Sequence, residues 1–167
     1  MLFRSTGSSC GNMIIQATSV LILATSGLYA AWSDLRHRRL SNLLVACTAV
    51  CGFALAVVEG GYAAFGSTVL HSVIALALGL PLFGWGLFGG GDVKYYAAVA
   101  AWFPVEQGFR LLACVSLTGA VLAAAWLIGQ RIGIIPRTDS AEKHNEKVPF
   151  GVAIGSGALL AALAHSQ

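Results

Sequence analysis

Charged residues are scarce in this sequence. Only 10% of the 167 residues are charged, whereas 57% are apolar. A soluble domain is about 25% charged, and with so few charges it would not cover its surface with polar groups. The composition therefore excludes a soluble globular protein and a disordered chain, and the net charge of +3 gives no reason to expect a nucleic-acid partner. An integral membrane protein remains, and we expect one all-α helical bundle formed by residues 1–167.

The sequence also lacks a metal-binding cysteine motif. None of its four cysteines belongs to a Cys-x-x-Cys pair. Cys47 and Cys51 share a helix face, but without further ligands they are interpreted as small packing residues. His37 follows Asp34 by three positions, and the only other histidine that we expect on the same membrane face as His37 is His144, in a polar loop. We therefore predict no metal site and no cofactor.

Six apolar segments are candidates to span a bilayer as helices. They cover about residues 13–32, 43–58, 68–88, 95–103, 111–129 and 149–164. Glu59 is expected to end the second. The fourth rises only about 14 Å, so it crosses only if Gly91–Lys94 continue the helix, if the bilayer thins or if neighbours cover it. A cleaved signal peptide is disfavoured for the first segment, because its apolar run is long and arginines follow it directly.

Lysine and arginine concentrate on one side of this six-helix arrangement. Eight of the ten lie there, namely Arg36, Arg38, Arg39, Lys94, Arg131, Arg137, Lys143 and Lys147. Only Arg4 and Arg110 lie on the other side. The positive-inside rule therefore predicts that both termini are outside and that residues 130–148 form a cytoplasmic loop. We interpret this polar loop as a solvated connection within the single domain.

Two aspartates lie at cytoplasmic helix ends. Asp34 closes the first helix and Asp92 opens the fourth, so counting the crossings places both at one membrane face. Ionisable groups at this depth are costly and usually functional. Two adjacent carboxylates can share one proton. One of them can then activate water while its protonated partner polarises a scissile carbonyl.

Each aspartate also has a structural interpretation. Asp34 can form an ion pair with Arg36 or Arg38 at the helix end, and Asp92 can be a helix N-cap. The alternative function is a non-enzymatic membrane subunit or a small transporter that uses both aspartates as ion or proton sites. Transporters often show internal repeats and ionisable residues at the midplane, whereas here both aspartates lie near one face.

Three segments resemble those of the type IV prepilin peptidase family. Asp34–Asn42 (DLRHRRLSN) resembles an Asp-x-Arg stretch that runs into Ile-Pro-Asn, although Ser41 replaces the proline. A serine at this position can cap the second helix. Gly89–Lys94 (GGGDVK) matches Gly-x-Gly-Asp-x-Lys, whose Gly-x-Gly-Asp core is shared with presenilin-like aspartyl proteases. Val148–Gly151 (VPFG) resembles Pro-Tyr/Phe-Gly. The order and spacing agree over about residues 13–164.

This resemblance implies a membrane aspartic endopeptidase that removes the leader of prepilins or pseudopilins at the cytoplasmic face of the bacterial inner membrane. Asp34 and Asp92 would be its catalytic residues. The supporting residues would be Gly89, Gly91, Lys94, Asn42, Pro149 and Gly151. The substrate would present a hydrophobic N-terminal helix, and membrane lipids would surround the bundle.

The residues around Asp92 fit this role. Gly89 and Gly91 permit close approach of a substrate backbone and a sharp helix start. Lys94 faces away from Asp92 on a helix, and it is either a cytoplasmic anchor or a group that tunes the carboxylate pair. Family members that also N-methylate their product carry a cytoplasmic insertion with Cys-x-x-Cys zinc motifs. The insertion is missing here, so the resemblance is to the minimal, peptidase-only branch that serves Flp/Tad-type pili, and we expect no methyltransferase activity.

Overall fold

The computed structural model describes residues 9–37, 41–86, 89–132 and 150–163, with side chains for 17–33, 41–86, 89–132 and 151–163. These residues form α1 (Ser9–His37), α2 (Asn42–Gly84), α3 (Gly90–Ala100), a 3-10 turn (Val105–Gln107), α4 (Gly108–Arg131) and α5 (Phe150–Leu163). Every regular element in the described part of the chain is a helix, so the all-α prediction is confirmed.

Helix α2 is broken at Gly61. The φ of 67° and ψ of −159° at this residue lie in a region that is essentially restricted to glycine. The rings of Phe53 and Phe65 lie on either side of the break with centroids 5.7 Å apart, whereas a continuous helix would separate them by about 18 Å. The chain therefore folds back at Gly61, and α2 consists of two antiparallel helices, residues 42–60 and 62–84.

The turn between the second and third segments lies within the predicted interval but is shorter than expected. We expected Glu59 to end the second helix and the third to begin near residue 68, but residues 59–67 are helical on both sides of Gly61. A single glycine is enough to reverse the chain because it has no Cβ to clash at positive φ. Helix α3 begins at Gly90, so Gly91–Lys94 do continue the fourth helix.

Helix α3 packs against both halves of α2. On one side, the indole of Trp102, in the turn after α3, lies against Gly52, where a Cβ would come within 2.8 Å of the ring. The Nε1 of Trp102 donates a hydrogen bond to the Thr48 oxygen at 2.9 Å. On the other side, Gly79 lies against Val93, where a Cβ would overlap the valine side chain. Both glycines permit this close approach, because any larger residue would push α3 away.

The short length of α3 is matched by its burial. Six of its eleven residues are buried, namely Val93, Tyr95, Ala97, Ala98, Val99 and Ala100. Eleven residues rise about 16 Å, which is about half the thickness of the hydrocarbon core. The backbone of α3 is therefore enclosed by other helices, as a short segment within a membrane requires.

Helix α5 packs between α1 and α4 through glycines. A Cβ on Gly155 would lie 3.0 Å from the Cα of Gly27 in α1, and a Cβ on Gly157 would lie 2.6 Å from the Cα of Val115 in α4. Such backbone contacts are typical of helix pairs in membranes. The three helices therefore form one tightly packed layer beside the α2–α3 pair.

Among the described residues, two helical stretches are long and apolar enough to cross a membrane by length and composition. They are Asn42–Gly84, which comprises both antiparallel halves of α2, and Val105–Arg131. Only 17% and 11% of their most apolar windows are buried inside the protein, so most of these apolar side chains face outward. Ala17–Ser33 and Gly151–Leu163 are shorter apolar helices. In water such an apolar surface would promote aggregation, whereas in a lipid bilayer it would contact the lipid tails. The count of six crossings and the external termini stay predictions.

Candidate active site

The start of α3 is built from consecutive glycines. Gly89 is the N-cap, with an extended backbone (φ −74°, ψ 142°), and Asp92 is the third residue of the helix. The amides of Asp92 and Val93 donate hydrogen bonds to the Gly89 oxygen at 3.1 and 3.2 Å. The interpretation of Asp92 as the N-cap is therefore wrong, because a glycine holds that position. Gly91 lies half-buried in the same first turn.

The carboxylate of Asp92 folds back over Gly89. A Cβ on Gly89 would lie 2.7 Å from Oδ2 of Asp92, so any side chain at position 89 would displace the carboxylate. This position is at the start of the helix, where the helix dipole favours a negative charge. Asp92 is half-buried, whereas Lys94 is exposed. The structure therefore assigns Gly89 a local role, which is to give the Asp92 carboxylate room.

A cavity of about 420 Å³ opens beside Asp92. It lies between the second half of α2 and α4, with α3 and α5 behind it. Its walls are mostly apolar and include Ile74, Leu78, Leu82, Tyr96, Leu112 and Val115. Leu78 and Phe109 on its two rims are 66% and 84% exposed, so the cavity opens sideways. Among its described lining residues, Asp92 is the only carboxylate.

Asp34 lies in the last turn of α1, and its side chain is outside the described part of the structure. Its backbone is nevertheless at the same end of the bundle as Asp92. Leu23 of α1 and Trp102, which follows the end of α3, line one small cavity. Helices α1 and α3 run in opposite directions past this level. Asp34 follows Leu23 by eleven residues, and Asp92 precedes Trp102 by ten. The direct pairing of the two carboxylates stays a prediction.

Other predicted site residues lie at this same end. Asn42 is the exposed first residue of α2, and Ser41 caps that helix by accepting a hydrogen bond from the Leu44 amide at 3.2 Å, as predicted. Gly151 is buried in the first turn of α5. Pro149, like the loop after residue 132, lies outside the described residues. The side chains of His37 and His144 lie outside them too.

His71 was missed as a site residue by the sequence analysis. The structure places it at the end of the cavity that is remote from Asp92, beside Phe103 and Gly108. It is 4% exposed, and Nδ1 lies 2.8 Å from the oxygen of Phe103. A lone histidine in an apolar run has no neighbouring pattern that marks a site. Only the packing of α2 against the end of α3 reveals its position.

Comparison with known proteins identifies a family for this chain. The family model of the type IV leader peptidases matches residues 21–124. That span includes Asp34 and the whole of Gly89–Lys94, whereas Val148–Gly151 lies beyond it. No curated protein and no solved structure matches the chain. Because the family match covers more than half of the sequence, this chain belongs to the type IV leader peptidase family.

Proposed function

We propose that this protein is an aspartic endopeptidase that removes the leader peptide of prepilins or pseudopilins at the cytoplasmic face of the bacterial inner membrane. Membership of the family makes it a leader peptidase in general terms. The observation that carries the finer proposal is the position of Asp92, whose carboxylate lies at one end of an apolar, laterally open cavity. No feature of the site favours the transporter alternative.

The cavity suits a substrate that has two contrasting parts. A leader-bearing substrate combines a polar leader with an apolar helix that remains in the membrane. The apolar walls between α2 and α4 can bury one face of such a helix, which enters from the lipid because the cavity opens sideways. The bond between leader and helix then lies at the polar end, beside Asp92. Binding thus places the scissile peptide next to the carboxylate.

The proposed chemistry uses Asp34 and Asp92 as a pair that shares one proton. The ionised carboxylate removes a proton from water as the oxygen adds to the peptide carbonyl carbon. The protonated carboxyl donates its proton to the carbonyl oxygen. The tetrahedral intermediate then collapses, the carbon–nitrogen bond breaks, and the leaving amine takes up a proton. Lys94 is exposed, which supports its role as a cytoplasmic anchor more than a role in tuning the pair.

Leader removal from a co-expressed prepilin tests this proposal. We expect Asp34→Asn and Asp92→Asn each to lower the rate of leader removal at least about 100-fold, because each removes one half of the acid–base pair. Asp139→Asn is the matched control, since Asp139 is the third and last aspartate of the chain and lies in the polar loop. The shift of the prepilin band on a gel measures the rate.

Normal processing by both Asn variants would exclude the aspartic mechanism. Loss of processing in the Asp139→Asn variant would show that any aspartate change disturbs the protein, and the pair would then lose its support. Uptake of an ion into proteoliposomes that either site variant abolishes, with the prepilin uncut by the wild type, would instead favour the transporter.

A further inference from the structure

One ring nitrogen of His71 is anchored to the fold. Nδ1 lies 2.8 Å from the backbone oxygen of Phe103, in the turn that follows α3. A carbonyl oxygen can only accept a hydrogen bond, so Nδ1 carries a proton and donates it. In the neutral imidazole the other nitrogen, Nε2, is then an acceptor.

The other nitrogen, Nε2, lies beside Gly108. Both His71 and Gly108 line the cavity, and a Cβ on Gly108 would lie 3.0 Å from Nε2. The glycine therefore leaves this edge of the ring uncovered. An acceptor among apolar groups is costly when no donor reaches it. A bound helix that brings a donor to this point is favoured over one that is apolar throughout.

The geometry of α2 sets the position of that donor. Gly79 packs against Val93, the neighbour of Asp92. His71 precedes Gly79 by eight residues on the same straight helix, which corresponds to about 12 Å. Leu82 also lines the cavity and lies about 16 Å from His71 along the helix. The distance along the cavity from the Asp92 end to His71 is therefore about 12–16 Å, which corresponds to two to three turns of a bound helix.

We propose that His71 is a specificity residue that accepts a hydrogen bond from a hydroxyl-bearing side chain of the substrate's apolar helix, about 8–11 residues beyond the cleaved bond. This inference rests on the proposed function, because it assumes that the cavity holds that helix. It assigns the two polar ends of the cavity separate tasks. Asp92 acts on the peptide bond, and His71 fixes how far the helix enters.

The test uses the full chain in lipid vesicles and a set of leader-bearing substrates. Their apolar helix is built from leucine and alanine, and one serine is moved through successive positions after the cleaved bond. The readout is the kcat/KM ratio between each serine substrate and the substrate with alanine at that position. For the wild type we expect the ratio to peak at about three- to ten-fold over positions 8–11 and to be near one elsewhere.

Two variants separate recognition from structure. In His71→Asn the side-chain amide can still donate to the Phe103 oxygen, but nothing replaces Nε2. Gly108→Ala keeps the histidine and places a methyl group against Nε2. We expect both to flatten the serine peak, so that the kcat/KM ratio of serine to alanine substrates falls to near one at positions 8–11. If His71→Asn does not fold, the Gly108→Ala profile decides alone.

A flat profile in the wild type would overturn the inference, as would a peak that persists in the variants. Either result leaves the proposed function intact as long as the alanine substrates are cut and Asp92→Asn abolishes that cleavage. Failure of the wild type to cut any substrate would instead contradict the proposed function itself.

Discussion

Helices α3 and α4 line the same cavity but are held in opposite ways. Six of the eleven residues of α3 are buried, on a helix of about 16 Å. In α4, Leu111 and Gly119 are the buried residues of a 24-residue helix. The helix that carries the proposed catalytic carboxylate is thus mostly buried among other helices, whereas the opposite wall is buried along one stripe only. We interpret α3 as the rigid element that carries the acid, and α4 as the wall that moves to admit a helix.

The largest effect we expect concerns the single anchored stripe of α4. Leu111 is 0% exposed and Leu117 is 65% exposed on the same helix. Leu111→Ala should lower the free energy of unfolding by about 2–4 kcal/mol, because it leaves a cavity at the base of α4. Leu117→Ala should change it little, since that side chain faces lipid. Unfolding by SDS in mixed micelles measures both, and equal losses would refute the contrast between the two faces.

The next effect concerns the enclosure of α3. Gly79→Ala would place a methyl group into the Val93 side chain, and overpacking of this kind costs about 1–3 kcal/mol. Because Val93 adjoins Asp92, we expect leader removal to slow as well. Gly66→Ala is the control. Gly66 lies on the same helix as Gly79, and a Cβ there would meet nothing within 4 Å.

The second substitution Val93→Ala makes this prediction sharper. It removes the two methyl groups that the new alanine would meet, so the double variant should recover part of both stability and activity. The interaction energy from the double-mutant cycle should then be about 1 kcal/mol or more in favour of the pair. A cycle without coupling would show that Gly79 does not set the distance between α2 and α3.

The sequence predicted the helical class because apolarity and the scarcity of charge are properties of whole segments. It also predicted Ser41 as a cap, because capping depends on near neighbours. It placed the reversal between the second and third helices within residues 59–67, which include Gly61, but it left those residues out of both helices because Glu59 was the charge in an apolar run. The actual break is at Gly61, one of 20 glycines, and only its backbone angles distinguish it.

The candidate site divides in the same way. Asp92 and its glycines were found from a contiguous motif, whose residues act on one another within a single helical turn. The cavity was not predictable, because its walls come from segments far apart in the sequence that meet only after packing. His71 belongs to this second group. The same reasoning explains why the contribution of α4 to the cavity was also missed.

The smallest effect concerns the polar contact between α4 and α5. Thr118 Oγ1 lies 2.9 Å from the Ala153 oxygen, and it also lies within hydrogen-bond distance of two carbonyls of its own helix. One proton is shared among these acceptors, and hydrogen bonds between membrane helices average about 0.6 kcal/mol. Thr118→Val should therefore lower the free energy of unfolding by less than about 1 kcal/mol.

Thr25→Val is its control, because Thr25 donates to Ile22 within its own helix and should change stability less. A loss of more than about 2 kcal/mol for Thr118→Val alone would mean that one hydroxyl anchors α4 as firmly as the buried Leu111 does. Helix α4 would then be held by a strong hydrogen bond to α5 in addition to the packing of Leu111 and the close approach of Val115 to Gly157. It would be less free to move away from α2 when a substrate helix enters, and the mobile-wall interpretation of the cavity would fail.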